Sequence, residues 1–368
     1  MSISNALIGN LTKIRTGKLD ANAADPAGKY PFFTCAQEPL AINRYAYDCD
    51  AILVAGNGDL NVKHYKGKFE AYQRTYIIKV ANESKLDSRY LYYFMSKYVE
   101  KLRELSIGGV IKYIKLGMLT DAEIPLPLLP EQKRIAAILD KADAIRRKRQ
   151  AAIKLADEFL RATFLDMFGD PVTNPKGWEV KPIGEMLTFL TSGSRGWAKF
   201  YSNDGALFLR IQNIGKNELI LEDVAFVNPP ESAEARRTRV MEGDVLLSIT
   251  ADLGRTAIIP KELPVAHINQ HLAILRFKGV EPLYSSAFLA SPGGQEQIKK
   301  LNREGVKAGL NFDNVRSLEM MLPPELLQKK WTYIYEKKMQ QNRLLQNASG
   351  WDTTLFNSLT QRAFRGKL

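Results

Sequence analysis

The chain repeats itself at one constant spacing. Gly109–Val110 falls on Gly305–Val306 after a shift of 196 residues. The same shift carries Glu123 to Glu319, Leu126 to Leu322, Pro127 to Pro323, Gln132–Lys133 to Gln328–Lys329 and Phe168 to Phe364. Upstream, "YLYYFMSKYVEKLREL" from Tyr90 and "YSSAFLASPGGQEQIKKL" from Tyr284 occupy matching places, and "CDAILVAGNGD" resembles "GDVLLSITADLG". Each half reads as strands, a short helix, a glycine-containing loop, a strand running into proline, then a long helix. A duplication of this size limits the fold more than any single motif does, because whatever one half builds the other must build again.

The long helices are the clearest elements. Neither proline nor glycine interrupts residues 131–168, and "GDP" at Gly169–Pro171 ends the run. Apolar residues at Ile135, Ile138, Ala142, Ile145, Ala152, Ala156 and Phe159, with Arg149 filling one slot, step by threes and fours, which predicts a coiled-coil seam. Trp331, Ile334, Leu345, Ala348, Leu355 and Leu359 take the equivalent phases in the second helix. Neither helix buries its stripe alone, so the two are expected to pack on each other. Short β-branched runs such as "AILVA", "TYIIKV", "GALFLRI", "VLLSI" and "HLAILRF", set between Gly, Pro and Asn breaks, predict β-rich modules. The expected division is a first module at 1–125, a helix at 126–171, a second module at 172–322 and a second helix at 323–368. The fold class is α+β: two similar β-rich globular domains separated by two long antiparallel coiled-coil helices, an internal pseudo-twofold duplication.

Charge narrows the class of partner. With 52 Lys and Arg against 40 Asp and Glu, the formal net charge is +12 and the pI near 9.4. No run approaches the ~18 apolar residues of a membrane span. The opening "MSISNALIGNLTKIRTGK" has no cationic leader before an apolar core, so a secretory signal is not expected. Cys35 and Cys49 are too few for a disulfide framework, and reduced thiols in a cytoplasmic protein are expected. A basic chain with no anchor most often meets a polyanion, and nucleic acid is the commonest.

The apparent enzyme motifs fail on chemistry. His267 and His271 are four apart in "HINQH", but position 268 is Ile where a zinc protease needs Glu, and the segment reads as strand. "NPPE" at Asn228–Glu231 ends in Glu where an amino-methyltransferase needs an aromatic residue to stack on the flipped base. "AGNGDL" and "ADLGR" are glycine turns too short for a dinucleotide fingerprint, and there is no Walker A lysine loop. "RRKR" at Arg146–Arg149 reads as a solvated helix face. Polar clusters in the modules suit DNA better. "SGSRGWAKF" brings Arg195 and Lys199 beside Trp197. "LRIQN" is expected to hold Arg210 and Gln212 on one side of a strand, with Asn213 following. "GVIKYIKLG" and "GVKAGLN" put Lys112, Lys115, Lys307 and Asn311 on equivalent glycine loops, where lysines suit phosphate. Asn57, Lys63 and Arg74 complete the set in the first module.

These features together resemble the specificity subunit of type I restriction–modification enzymes. The resemblance spans essentially the whole chain and rests on "IPLPLLPEQKRI" and "MMLPPELLQKK", each running into a long helix, and in the second half on "LRIQNI", "GDVLLSITADLGRTAII", "INQHLAILRF" and "GVKAGLNFDNVRSLEMMLPP". The second proline motif continues as "ELLQKK" and lacks the usual Glu-Gln pair. The resemblance implies a non-catalytic subunit with two target recognition domains, each reading part of a bipartite double-stranded DNA site, with the helices setting the unread spacer. It also implies two methyltransferase subunits docked on the chain and, in a restriction-competent assembly, motor-nuclease subunits. S-adenosylmethionine, ATP and Mg are then expected in those partners, and no cofactor in this chain. The alternatives are a nuclease or methyltransferase with an unrecognised site, which needs a carboxylate cluster or cofactor loop, and a coiled-coil scaffold, which leaves two similar basic modules unexplained.

Overall fold

The computed structural model describes residues 4–193, 195–304 and 309–368. The chain forms two compact units, Met1–Ile153 with Leu345–Leu368, and Lys154–Leu344. The expected boundaries set whole helices apart from modules. Instead each long helix is divided near its middle, and each unit is a module completed by one half of either helix.

The first unit contains Asn5–Leu7 (β1), Ile8–Leu11 (α1), Thr12–Thr16 (β2), Tyr30–Phe33 (β3), Leu40–Ile42 (β4), Tyr47–Ala55 (β5), Val62–Ala71 (β6), Thr75–Val80 (β7), Ser88–Leu105 (α2), Gly117–Thr120 (α3) and Glu123–Pro125 (β8). Leu129–Phe168 (α4) begins in it. A six-stranded sheet of order β2-β7-β5-β6-β3-β4 is antiparallel except where β3 meets β6. Helix α2 starts at Asp87, whose side chain accepts from Tyr90 N. Its buried Leu91, Phe94, Met95 and Leu102 recur at helical spacing and pack on Ile52, Val54 and Ile78 from one sheet face.

The second unit contains Glu179–Pro182 (β9), Leu187–Ser192 (β10), Tyr201–Ser202 (β11), Ala206–Leu209 (β12), Ala225–Val227 (β13), Ala233–Thr238 (α5), Val245–Ser248 (β14), Thr256–Ile258 (β15), Ala266–Ile268 (β16), Leu272–Phe277 (β17), Pro282–Ala290 (α6), Pro292–Glu304 (α7), Phe312–Arg316 (α8) and Glu319–Leu322 (β18). Glu325–Ala363 (α9) begins in it. Here there are two four-stranded sheets, β10-β17-β14-β15 and β11-β13-β12-β16, the second with one parallel pair, β12 with β16.

The 196-residue repeat has a physical basis where each module meets its helix. In the first unit β1 pairs with β8, Tyr90 Oη donates to Pro125 O at 2.8 Å, and Phe364 lies 5.1 Å from the Tyr90 ring. In the second β9 pairs with β18, Tyr284 Oη donates to Met321 O at 3.0 Å, and Phe168 lies 4.7 Å from the Tyr284 ring. Gln132 accepts from Asp87 N at 2.9 Å and donates to Lys85 O and Pro127 O. Gln328 accepts from Glu281 N at 3.0 Å and donates to Pro323 O at 2.7 Å. Both glutamines are buried, so these bonds satisfy backbone groups that water cannot reach.

The helices pair antiparallel within each unit. In the first, Arg134 donates to Leu368 O, Arg146 lies over Phe356, and Arg149 pairs with Asp352 at 2.5 Å. In the second, Asn342 donates to Asp157 and Phe164 packs edge-on against Trp331. The expected seam is corrected in phase. Ile135, Ala156 and Trp331 are buried as expected, but Ile145, Phe159 and Leu355 are exposed, while Leu139, Asp143, Leu160, Phe164 and Phe168 are buried outside the expected line. The buried line steps mostly by four because the ends of α4 face their modules. Leu139 joins the core built around Tyr90 and Tyr93, and Phe164 and Phe168 join Tyr284. Among the described residues no helix is long and apolar enough to cross a membrane. Cys35 and Cys49 are free thiols.

Candidate nucleic-acid interface

Each unit gathers its loops at the end of its central strand, and each end is closed by an equivalent backbone bond of its own. In the first unit Ile114 N donates to Gly56 O at 2.9 Å, just after β5. In the second Leu310 N donates to Ile249 O at 2.8 Å, just after β14. In both, the chain that follows the module helix is tied to the loop leaving the central strand.

The first end is stiff. Gly56 N donates to Arg74 O at 2.8 Å, and a Cβ on Gly56 would lie 2.3 Å from that oxygen, so only glycine lets the loops meet. Gly58 N donates to Lys112 O, and Asn57 bridges Tyr113. Asn57, Arg74 and Lys112 are thus brought together through their backbones, and the Arg74 and Lys112 side chains are exposed. Lys115 is also exposed, and its amide donates to Met118 Sδ. Lys63 turns inward, donating to Ala36 O at 2.6 Å and to Asn61 Oδ1, and burial pushes its pKa down. It braces the loop at Cys35, whose carbonyl accepts from Asn61 Nδ2.

In the second unit Gly193 is pressed against the carbonyls of Ile268 and Asn269, where a Cβ would lie 2.2 Å away. The exposed Arg195 follows, and Lys199 projects from the turn Trp197–Phe200 with Nζ 5.0 Å over the Phe200 ring. Trp197 is buried and stacks on Phe208 at 5.4 Å and 4°. The expectation for "LRIQN" is corrected: β12 ends at Leu209, and Ile211–Asn213 is a 3-10 turn. Alternation along a strand therefore does not apply to Arg210 and Gln212. Both hold Asp223, Arg210 Nη2 through its carbonyl at 3.1 Å and Gln212 Nε2 through its carboxylate at 3.2 Å. Asn213 is 1% exposed, accepts from Arg210 N, and donates to Ile220 O and Asp223 O. It shapes the turn and has no free group to offer a base. Asn311 caps α8, accepting from Asn314 N at 2.7 Å. Lys307 lies outside the described residues.

The histidines are structural. His267 on β16 is buried beside Trp197, with Thr238 Oγ1 3.3 Å from Nδ1, and burial, then Arg239, holds its pKa below the usual histidine range. His271 Nδ1 meets Thr250 Oγ1 at 2.6 Å. Among the described residues no group of His, Cys, Asp and Glu is placed to hold a metal ion.

Three further surface features stand outside the expected set. The exposed Lys13 on β2 lies directly opposite the exposed Lys79 on β7, two residues from Arg15, which stacks 4.5 Å over Tyr47. The alternation in "TKIRT" signals it. Arg237 donates to Thr191 Oγ1 and Ser192 O beside the Gly193 loop. Trp351, which falls off the expected seam line between Ala348 and Leu355, is 79% exposed on α9.

A family model described as "Type I restriction modification DNA specificity domain" matches residues 6–155 and 175–346. The chain belongs to this family and carries its domain twice. Both matches end within a long helix, close to where the compact units divide. Among curated relatives, the EcoDI specificity subunit of Escherichia coli is 42% identical over 154 residues, which is 42% of this chain and 34% of that protein. The E. coli EcoBI specificity subunit is 22% identical over 355 residues, covering 86% of this chain and 73% of that one. The MjaIX specificity subunit of Methanocaldococcus jannaschii is 28% identical over 210 residues, covering 51% and 48%. The chain thus spans a third to three-quarters of the length of these relatives. A solved S subunit of a type I system from M. genitalium superposes with a TM-score of 0.70 at 17% identity, covering 99% of this chain and 96% of that one. A chain from a structure describing complex assembly in the type I system gives 0.52 at 17% identity, covering 99% and 98%. At these identities the likeness is one of fold.

Proposed function

We propose that this chain is the non-catalytic DNA-reading subunit of a type I restriction–modification system, each unit's loop end facing one half of a bipartite duplex target. The observation that carries the reading is the repeated loop end itself. Two units with different sheets bring the same post-helix loop to the same strand end by the bonds Ile114 N to Gly56 O and Leu310 N to Ile249 O. Exposed cations surround both: Arg74, Lys112 and Lys115 in the first, Arg195 and Lys199 in the second. Such groups position a protein on phosphates while polar loop atoms read base edges. A net charge of +12 adds sequence-independent attraction.

The long helices present a second kind of surface. Ile145, Trp351 and Leu355 in the first unit, and Phe159 and Tyr333 in the second, are at least half exposed. We assign them to docking of two methyltransferase subunits, which would supply S-adenosylmethionine chemistry. Motor-nuclease subunits using ATP and Mg would join the same assembly, and helix length would set the unread spacer. A cytoplasmic location follows from work on cellular DNA.

The test is methylation mapping on a randomised duplex with the chain and its methyltransferase partner. Exchanging residues 172–322 for those of another family member should change one half of the methylated sequence and keep the other. Methyl transfer by the chain alone from labelled S-adenosylmethionine would overturn the non-catalytic reading.

A further inference from the structure

The loop that follows α2 carries an apolar apex with no structural use. Ile107 and Tyr113 exchange two backbone hydrogen bonds, 3.0 and 2.9 Å, closing the short loop 108–112. Gly108 has φ +111°, and a Cβ there would lie 2.6 Å from Ile111 O, so the turn needs glycine. The C-terminal foot is pinned twice, by Gly58 N to Lys112 O and Ile114 N to Gly56 O, each 2.9 Å, and the Ile107–Tyr113 exchange ties the other foot to it. At the apex Val110 is 104% exposed and Ile111 64%. A single exposed aliphatic side chain is ordinary. Two adjacent branched ones on a pinned apex give up the burial that would favour folding, and they point to a partner.

The surrounding charge says which partner. Lys112 and Lys115 follow the apex directly, and Arg74 stands on the loop to which Gly56 is bonded. The nearby carboxylate, Asp59, is engaged by Gln37 at 2.7 Å and by Arg103 at 3.4 Å. An apolar point set among cations suits a duplex, with phosphates to either side and stacked bases between. A protein groove has no need of the lysines, and the loop is too small to anchor in a lipid surface.

We propose that Val110 and Ile111 form a wedge that presses into a base step of the half-site read by the first unit. The proposal rests on the DNA-reading function above and adds a deformation to it. Branched apolar side chains entering from the minor groove part the stacked bases, and the sequence-dependent cost of parting them contributes specificity without a hydrogen bond to any base. Pyrimidine–purine steps, which unstack most easily, are then favoured at that position.

The experiment uses the full chain with its methyltransferase partner and duplexes carrying 2-aminopurine at successive positions of the mapped target. Binding by the unaltered protein should raise the fluorescence of one position in the first half-site. The Val110→Ser/Ile111→Ser double variant should lose that rise and bind about tenfold more weakly, with an unchanged salt slope. Lys112→Ala should keep the rise and flatten the salt slope. Val110→Phe, with a larger wedge, should also keep it. Because both side chains are exposed, thermal melts of these variants should match the parent. A target bound tightly with no rise at any position would overturn the wedge and leave the DNA-reading function standing. Unchanged DNA binding with impaired partner assembly in the double variant would overturn it too, assigning the apex to a protein surface. Absence of any selected duplex would overturn the DNA-reading function itself.

Discussion

Tyr90 and Tyr284 do the same thing in two different modules. Each donates its hydroxyl to a carbonyl of the strand that leads into proline, and each packs against a phenylalanine 196 residues from its counterpart. A few residues away the resemblance stops. The first unit spreads one six-stranded sheet behind its loops and the second folds two sheets of four. The contrast separates two requirements. Attachment of module to helix is solved once, with buried polar groups that tolerate little change. The sheet has only to hold loops in place, and many sheets can do that.

The sharpest way to break the comparison is at the phenylalanines. Phe168 is fully buried among Tyr284, Phe164 and Trp331, whereas Phe364 is half-buried beside Tyr90 and Phe94. Phe168→Ala should cost the second unit about 3–5 kcal/mol, read as a lower urea midpoint of tryptophan fluorescence. Phe364→Ala should cost the first unit less, read by hydrogen exchange in α2. Equal losses would mean that exposure does not distinguish the two junctions.

The glutamines test the shared part. Gln132→Ala strands Asp87 N, Lys85 O and Pro127 O, and Gln328→Ala strands Glu281 N and Pro323 O. Each should lose about 1–3 kcal/mol, with Gln132 the costlier by its additional partner. A neutral result at either position would show that the motif is shared in sequence and not in energetics.

Why the junction was legible and the recognition surface was not follows from the same residues. Gln132 and Gln328, Phe168 and Phe364, and the proline-terminated strands are fixed by contacts a few ångströms across, so one offset recovers all of them. "VLLSI", "TYIIKV" and "HLAILRF" also became strands, since branched and apolar runs between breaks have few alternatives. Arg210, Gln212 and Asn213 fall off the expected strand because it stops at Leu209, two residues before the end of the run "GALFLRI", and the chain then turns to wrap Asp223. Nothing local announces that turn. Lys63 is expected in the DNA-binding set, yet the loop at Ala36, far away in sequence, draws it inward. The helix seam is shifted for a similar reason: the modules as well as the partner helix bury α4, drawing Leu139 into the first core and Phe164 and Phe168 into the second, while Ile145 and Phe159 between them stay exposed.

The exposed cations provide a smaller, functional contrast. Lys112→Ala in the first unit and Arg195→Ala in the second should each lower the salt dependence of duplex binding by about one unit of slope, with little change in sequence preference. A loss of specificity in one half of the target after either change would convert that residue from a phosphate contact into a base reader.

The smallest expected difference lies in pH. His267 is buried in the second unit, where burial and Arg239 hold its pKa below that of an unfolded histidine, about 6.5. The first unit's His64 instead stands between Asp50 at 2.7 Å and Arg89 at 3.0 Å. Below about pH 6.5 the unfolded second unit takes up a proton that the folded one refuses, so stability falls as pH falls until the lowered native pKa is reached. The slope from one such group is at most about 1.4 kcal/mol per pH unit. Trp197, whose ring lies 5.1 Å from His267, reports on the surroundings. Its urea midpoint should drop between pH 7.5 and pH 5.5 in the parent chain. In His267→Asn the drop should be smaller, even though that variant begins less stable. An identical pH dependence in parent and variant would place the acid sensitivity of the second unit in other groups and leave His267 as a packing residue alone.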